Sequence, residues 1–327
     1  MAPEGTREIR SFAVASEAAD ILRGKKLVFI VGAPRSGTTW LEVLLSRSDS
    51  VIGVFETDWF SAYARSFFEV WEKHHRENHS FGLHRHLTDG EYFLFLRTLY
   101  GAILSRFAKR KPSATIILEK TPAHAIYWRD ILRVFPEAHF IHLVRDPRAV
   151  VASLEAASKS WAAKFGPRTV SDACEIWIRH VEAASQISSA TSKYIELRYR
   201  DLANEGANVL KTIFDWVGVS ITNEACQKFL EECNLQRLKS GSGIDDTSLR
   251  DMPADFFRRG ERDGWRSELS SWDIALIEKM TVPWMNRFGF PLASSHPLLS
   301  VLADLSVAKH HVKKAIRWRL NSIAARL

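Results

Sequence analysis

Cysteine is scarce in this chain. Cys174, Cys226 and Cys233 are the only three among 327 residues, an odd number without C-x-x-C spacing. They support neither a disulfide framework nor a zinc site and point to a reducing compartment. No stretch approaches the ~18 uncharged apolar residues of a membrane span. The first residues, "MAPEGTREIRSFAVASEAADILRGKK", are mixed in charge and hold no apolar run of signal length, so the expected location is the cytoplasm. Internal repeats and long low-complexity segments are missing as well. His74, His75, His79, His84 and His86 crowd one stretch, but Arg76 follows His75, so the H-E-x-x-H metal pattern is lacking. A polar helix and loop bordering a cleft is the preferred reading there.

What is present is an ordinary globular composition, 46% hydrophobic and 25% charged, with ample material for a core. Formal net charge is +7 and the sequence pI about 9.3, which suits nucleotides, sulfated or phosphorylated substrates, nucleic acid or an acidic membrane face, or simply a basic surface. Short apolar, β-branched runs ("KLVFIVGAP", "SVIGVFE", "ATIILEKTP", "HFIHLVRDP", "KYIELRYRDL") are each followed by a helix-like segment. Runs this apolar suit strands buried on both faces, and their alternation with helices predicts an α/β fold with a central parallel sheet. Helices are expected over "TTWLEVLLSRS", "DGEYFLFLRTLYGAILSRFAKR", "DPRAVVASLEAASKSW" and "TVSDACEIWIRHVEAASQISSA", the third capped by Asp146 with Pro147 in its first turn. Residues 238–264, rich in glycine, serine and charge, are expected to form a long loop, of the kind that is usually either functional or disordered.

From Val307 onward the chain carries six Lys or Arg and no acid. A solvated terminal helix is the preferred reading of this tail. Peripheral contact with an acidic partner or the inner membrane face is the second. The expected division is an N-terminal extension over 1–25, a main domain over 26–292 and a basic helical tail over 293–327.

The stretch "VFIVGAPRSGTTW", Val28 to Trp40, resembles a nucleotide phosphate loop entered from a buried strand, yet it lacks that loop's lysine: Gly37 is followed by Thr38 and Thr39. A glycine-rich turn from strand to helix still offers converging backbone N–H groups and the positive end of the helix dipole. Arg35 and the hydroxyls of Ser36, Thr38 and Thr39 add donors. Without the lysine that tracks terminal phosphates beside magnesium, the loop suits a compact 5′ mono-anion pair better than Mg·ATP.

Here "PRSGTTW" resembles the 5′-phosphosulfate loop of sulfotransferases that use 3′-phosphoadenosine 5′-phosphosulfate (PAPS). Three further stretches fall in that family's order. In "LVRDPRAVVASL", Arg145 at a strand end and Ser153 eight residues on resemble its 3′-phosphate site; a guanidinium fork and a helical hydroxyl make physical sense there. "IELRYRDL" resembles the strand whose tyrosine packs on adenine, with Tyr199 at the matching place. "FFRRGERDGWRSEL" resembles the loop that closes over the 3′-phosphate: Arg258, Arg259 and Gly260 match, while Asp263 and Gly264 stand in swapped order. The resemblance covers roughly residues 28–266. It implies the nucleotide-kinase-like sulfotransferase fold, a cofactor site of Arg35, Ser36, Gly37, Thr38, Thr39, Trp40, Arg145, Ser153, Tyr199, Arg258, Arg259 and Gly260, and PAPS as co-substrate without a metal.

The same resemblance implies the catalytic set. Lys120 in "ILEKTPAH" ends a strand, where the family's lysine helps stabilise the transferring group, and Arg35 is the second cation. Animal cytosolic members have a histidine base after K-T, but this chain has Pro122 there and so resembles the carbohydrate, peptidyl-tyrosine and bacterial branches. Those use a glutamate after the second strand, which is Glu56 in "SVIGVFETDWF"; an apolar setting is expected to raise its pKa toward the range of a base. His124 is the fallback. Trp59, Phe60, Tyr63, Phe67, Phe68 and Trp71 either line an acceptor site or, at helical spacing, fill the core. The expected reaction is sulfuryl transfer from PAPS to an alcohol, phenol or sugar hydroxyl, leaving adenosine 3′,5′-bisphosphate (PAP). A P-loop nucleotide or small-molecule kinase is the alternative. The basic residues form no continuous stripe with interleaved aromatics, so nucleic acid is not an expected partner.

Overall fold

A computed structural model of the chain describes residues 22–240, 252–253, 255–258, 260, 263–293 and 297–324. Each of the five apolar runs forms a strand: β1 Lys26–Val31, β2 Val51–Phe55, β3 Ile116–Lys120, β4 His139–Val144 and β5 Tyr194–Arg198. They build one sheet in the order β2-β3-β1-β4-β5, parallel throughout. Numbering only helices longer than two turns, the rest of the chain supplies α1 Thr38–Ser46, α2 Arg65–Arg76, α3 Asp89–Ala108, α4 Pro147–Ser158, α5 Val170–Ser185, α6 Gly206–Val217, α7 Asn223–Glu232, α8 Ser271–Phe288 and α9 Pro297–Ala324.

Both faces of the central strands are covered, which is why β1 and most of β3 and β4 read as apolar runs, while the edge strand β5, YIELR, is only half-buried. Side chains alternate along β1: Leu27, Phe29 and Val31 join Phe60 and Tyr100 on one face, while Val28 and Ile30 join Leu41, Leu44 and Phe214 on the other. A third apolar cluster, with Val150, Trp177 and Ile277, locks α4, α5 and α8 together. Asp146 caps α4 as expected, accepting the Arg148 N–H at 2.9 Å, with Pro147 in the first turn.

The register brings the carboxyl ends of the strands level. Ile30 lies beside Lys120, Phe55 beside Lys120 on its other side, and Val31 beside His142. Strands β2 and β3 lie to one side of β1, and β4 and β5 to the other. The chain thus changes direction across β1, and a crevice opens beyond its carboxyl end, the place where ligands meet open parallel sheets.

One consequence for stability follows from α5. His180 is buried, donates from Nδ1 to the Ile176 carbonyl at 2.7 Å, and burial pulls its pKa from 6.5 down to about 4. His142 in β4 is lowered too, again by burial. Below about pH 6.5 the unfolded chain takes up protons that these folded-state imidazoles refuse, so stability is present at neutral pH and falls with pH. His180 alone is expected to account for a loss of about 2 kcal/mol between pH 7 and 5. Denaturant titrations at both pH values should show it, with a shallower loss in His180→Gln; an unchanged pH slope in that variant would count against the assignment.

Candidate active site

The crevice is a cavity of about 790 Å³, within the usual range for a small-molecule site. Its floor is the loop joining β1 to α1. Gly32 and Gly37 are there because the fold leaves no room for a side chain: a Cβ would fall 2.5 Å from the Leu143 carbonyl oxygen at the first and 2.6 Å from the Tyr199 ring at the second. Gly37 also sits at φ 95° as the N-cap of α1, which has no side-chain cap, so the helix presents backbone N–H groups at its start. Arg35 holds φ 71°, a left-handed conformation costly for a side-chain-bearing residue and typical of functional turns.

Three arginines converge on this floor. Arg35 donates from Nε to Ser153 Oγ at 3.1 Å and from Nη2 to the Phe256 carbonyl at 2.5 Å, with its guanidinium 4.8 Å from the Phe256 ring centre and 5.7 Å from that of Trp161. Arg145 donates to the Arg35 carbonyl at 3.3 Å and lies 4.3 Å over the Tyr199 ring. Trp177 fixes the Arg145 backbone by donating to its carbonyl at 3.0 Å. Arg258 pairs with Glu268 at 2.5 Å. Burial, then the nearby charges of Arg145 and Arg258, pull the Arg35 pKa down to about 10; burial is also the first cause lowering Arg145. Crowded, partly desolvated cations are in electrostatic tension that a multiply charged anion would relieve.

Tyr199 is the first residue of a short helix, Tyr199–Asn204, rather than the end of β5. Its ring still reaches the cavity, 5.7 Å from that of Trp40, and its hydroxyl donates to the Gly260 carbonyl at 2.9 Å. Of the expected cofactor set, Arg35, Gly37, Thr38, Thr39, Trp40, Arg145, Ser153, Tyr199, Arg258 and Gly260 line the cavity. Ser36 does not: it is buried, and its hydroxyl has no partner among the described residues. Arg259 lies outside the described residues.

Glu56 stands on the wall facing the loop, at φ 26°, its N–H bonded to the Lys120 carbonyl at 2.9 Å. Lys120 is fully buried behind it and off the cavity wall. Its ammonium donates to Glu56 Oε1 at 2.5 Å, lies 4.0 Å from Glu42 Oε2 on α1 and sits 3.8 Å over the Phe55 ring. The expected apolar setting of Glu56 is therefore replaced by an ion pair with an exposed carboxylate. Trp59 and Phe60 point into the core beneath the sheet, as do Phe68 and Trp71, while Tyr63 and Phe67 are exposed; none lines the cavity.

His124 is also off the wall. Fully buried, it bonds Glu119 Oε2 through Nδ1 at 2.8 Å, while the Phe60 N–H donates to its Nε2 at 3.4 Å. Burial alone would raise the Glu119 pKa, but His124 and the hydroxyls of Thr121 and Thr57 hold it below the usual value. Glu119 thereby clamps the turn carrying Glu56, accepting from Thr57 Oγ1 and Thr121 Oγ1 at 2.8 Å each. The histidines of 74–86 bond mainly to backbone carbonyls, and no group of metal-ligating side chains occurs among the described residues.

Residues 28–223 match the profile of the Sulfotransferase family. This chain belongs to that family. One curated relative, the omega-hydroxy-beta-dihydromenaquinone-9 sulfotransferase Stf3 of Mycobacterium tuberculosis, is 25% identical over 269 residues, 65% of either chain. The match thus spans just under two thirds of that relative's length. Among solved structures, the sulfotransferase domain from the curacin biosynthetic pathway superposes at a TM-score of 0.54 with 16% identity, over 82% of this chain and 99% of its own. A mouse sulfotransferase solved with PAP gives 0.51 with 14% identity, over 83% and 89%. The fold is therefore that of the sulfotransferases.

Several residues of this sulfotransferase site were not singled out by sequence. Glu42 and Glu119 flank the Glu56–Lys120 pair, and Trp161, Phe165, Phe256 and Phe257 make an aromatic wall around Arg35. An acid inside the strand "IILEK" and the 8- and 12-residue steps from Ser153 to Trp161 and Phe165 were the available signals.

Proposed function

We propose that this chain transfers a sulfuryl group from PAPS to an acceptor hydroxyl, giving a sulfate ester and PAP. The observation that carries this reading is one cavity holding a lysine-free anion loop, Arg35 tied to Ser153, and Arg145 stacked on Tyr199. The α1 amides with Thr38, Thr39 and Arg35 would hold the 5′ anion pair; Ser153, Arg145 and Arg258 would hold the 3′-phosphate; Trp40 and Tyr199 would flank the base. Bound there, PAPS supplies the activated sulfuryl group. The relative solved with PAP fits this choice of donor.

Glu56 takes the acceptor proton, and Lys120 holds the carboxylate in place from behind. Arg35 is the cation at the cavity wall, placed to offset charge on the moving group. Trp161, Phe165 and Phe256 favour an acceptor whose hydroxyl is carried by an apolar or aromatic body, and a relative named for a hydroxylated menaquinone fits that class.

The test is transfer of labelled sulfate from PAPS to pooled lipid, phenol and sugar alcohols with chelator present, alongside labelled ATP. Sulfate esters without added metal are expected, as is a rise in Tm with PAP. Transfer of phosphate from Mg·ATP, with no stabilisation by PAP, would overturn the proposal.

A further inference from the structure

Helix α9 carries an apolar stripe on the side facing away from the protein. Val301, Leu305, Val312 and Ile316 are 57%, 64%, 59% and 54% exposed. At ~100° per residue they fall within a sector of about 60°. The opposite side holds the helix to the body: Ala303 is fully buried, and His310 bonds Glu175 of α5 at 2.9 Å. At the flank of the stripe Asp304 meets Lys279 of α8 at 3.0 Å. The stripe is therefore not the unused side of a loose tail but the outer face of a docked helix.

Charge says what fits that face. From Val307 to Ala324 the helix sequence contains Lys309, Lys313, Lys314, Arg317 and Arg319 and no acidic residue. Lys309 and Arg319 are exposed on the sector's margins. A second copy of the chain would bring one set of these cations against another, since the one acid in the helix sequence, Asp304, is already engaged by Lys279. An anionic lipid surface answers both features at once: lipid headgroups neutralise Lys309 and Arg319 beside the stripe and the acyl boundary accepts the valines, leucine and isoleucine.

We infer that α9 docks the protein on an anionic bilayer surface, lying in the plane of the headgroups with Val301, Leu305, Val312 and Ile316 inserted. At 28 residues it is about 42 Å long, so it covers a broad footprint without crossing, and no helix among the described residues is long and apolar enough to span. The inference stands apart from the assignment of sulfuryl transfer, because no residue of the cavity takes part.

The experiment is co-sedimentation of the full chain with phosphatidylcholine vesicles containing ~30% phosphatidylglycerol, and with phosphatidylcholine alone. Binding is expected to the anionic vesicles only, to fall at high salt, and to drop at least about tenfold in V312D/I316D. An unchanged Tm and unchanged stabilisation by PAP would establish that the variant is folded; if it is not, V312S/I316S replaces it with the same expected direction. The inference is overturned if the chain stays in solution with anionic vesicles, if it binds neutral vesicles equally well, or if binding survives loss of the stripe. It is equally overturned if the unmodified chain is a dimer that the stripe variant converts to monomer, since the face is then taken by a second copy.

Discussion

Glu56→Gln is expected to lower sulfuryl turnover by roughly 10²- to 10⁴-fold, the range general-base catalysis usually contributes, while PAP binding stays within about twofold of the parent. Glutamine keeps the size and can still accept a hydrogen bond from Lys120, so the fold around the site should hold. What it cannot do is accept the acceptor's proton. The carboxylate reaches the cavity wall through a backbone strained to φ 26°, a conformation kept by three clamps on the turn: the Lys120 carbonyl, the Lys120 ammonium and Glu119 through Thr57. That much restraint around one exposed carboxylate is what a positioned base requires. Steady-state kinetics together with calorimetric titration of PAP separates the two effects. Turnover left intact in Glu56→Gln would remove the base from this residue. His124 could inherit the role only by leaving the buried pair it forms with Glu119.

That contrast between Glu56 and His124 shows where sequence reasoning reached and where it stopped. The central strands could be read directly, since strands covered on both faces demand nearly continuous apolar runs, and the half-buried edge strand β5 followed from its place in the strand–helix alternation. The anion loop was equally plain, because its glycines answer to close backbone approach and cannot be replaced. Arg145 and Ser153 could be placed because one ends a strand and the other follows within its next helix, a local relation. His124 could not. Whether it faces the cavity depends on the 3₁₀ turn Pro122–Ala125, which swings it inward to Glu119, and turn handedness is not written in residue type. Lys120 stands behind Glu56 because strand alternation sends it and Glu119 to opposite sides of β3, a period-two fact obscured by the surrounding apolar run. Among the aromatics, helical spacing pointed rightly to the core for Trp59, Phe60, Phe68 and Trp71 but gave no sign of those that line the cavity. Those four fill the core under the sheet while Tyr63 and Phe67 face solvent, whereas Trp161 and Phe165 reach the cavity only through the path the chain takes after α4.

Arg145→Ala is expected to weaken PAP binding by about 10²- to 10³-fold, the cost of losing a charge-assisted contact in a desolvated site. The unliganded protein should lose little stability. Removing a cation from a group that includes Arg35 and Arg258 relieves repulsion, which offsets the lost stacking on Tyr199 and the 3.3 Å bond to the Arg35 carbonyl. Affinity and stability should therefore part company: calorimetry with PAP should show the loss while the Tm of the free protein stays within a few degrees. Arg145→Lys sharpens the test. Lysine restores the charge but not the planar fork or the flat stacking on an aromatic ring, so it should recover no more than about a tenth of the lost affinity if bidentate recognition is the cause. Full recovery by lysine would mean that Arg145 acts only as a point charge in the field of its neighbours. A large fall in the Tm of the free protein would make it a structural residue, held by Trp177 and Tyr199 for the sake of the fold. A steep loss of PAP affinity with added salt in the parent, much shallower in Arg145→Ala, would tie the effect to the charge of the ligand itself.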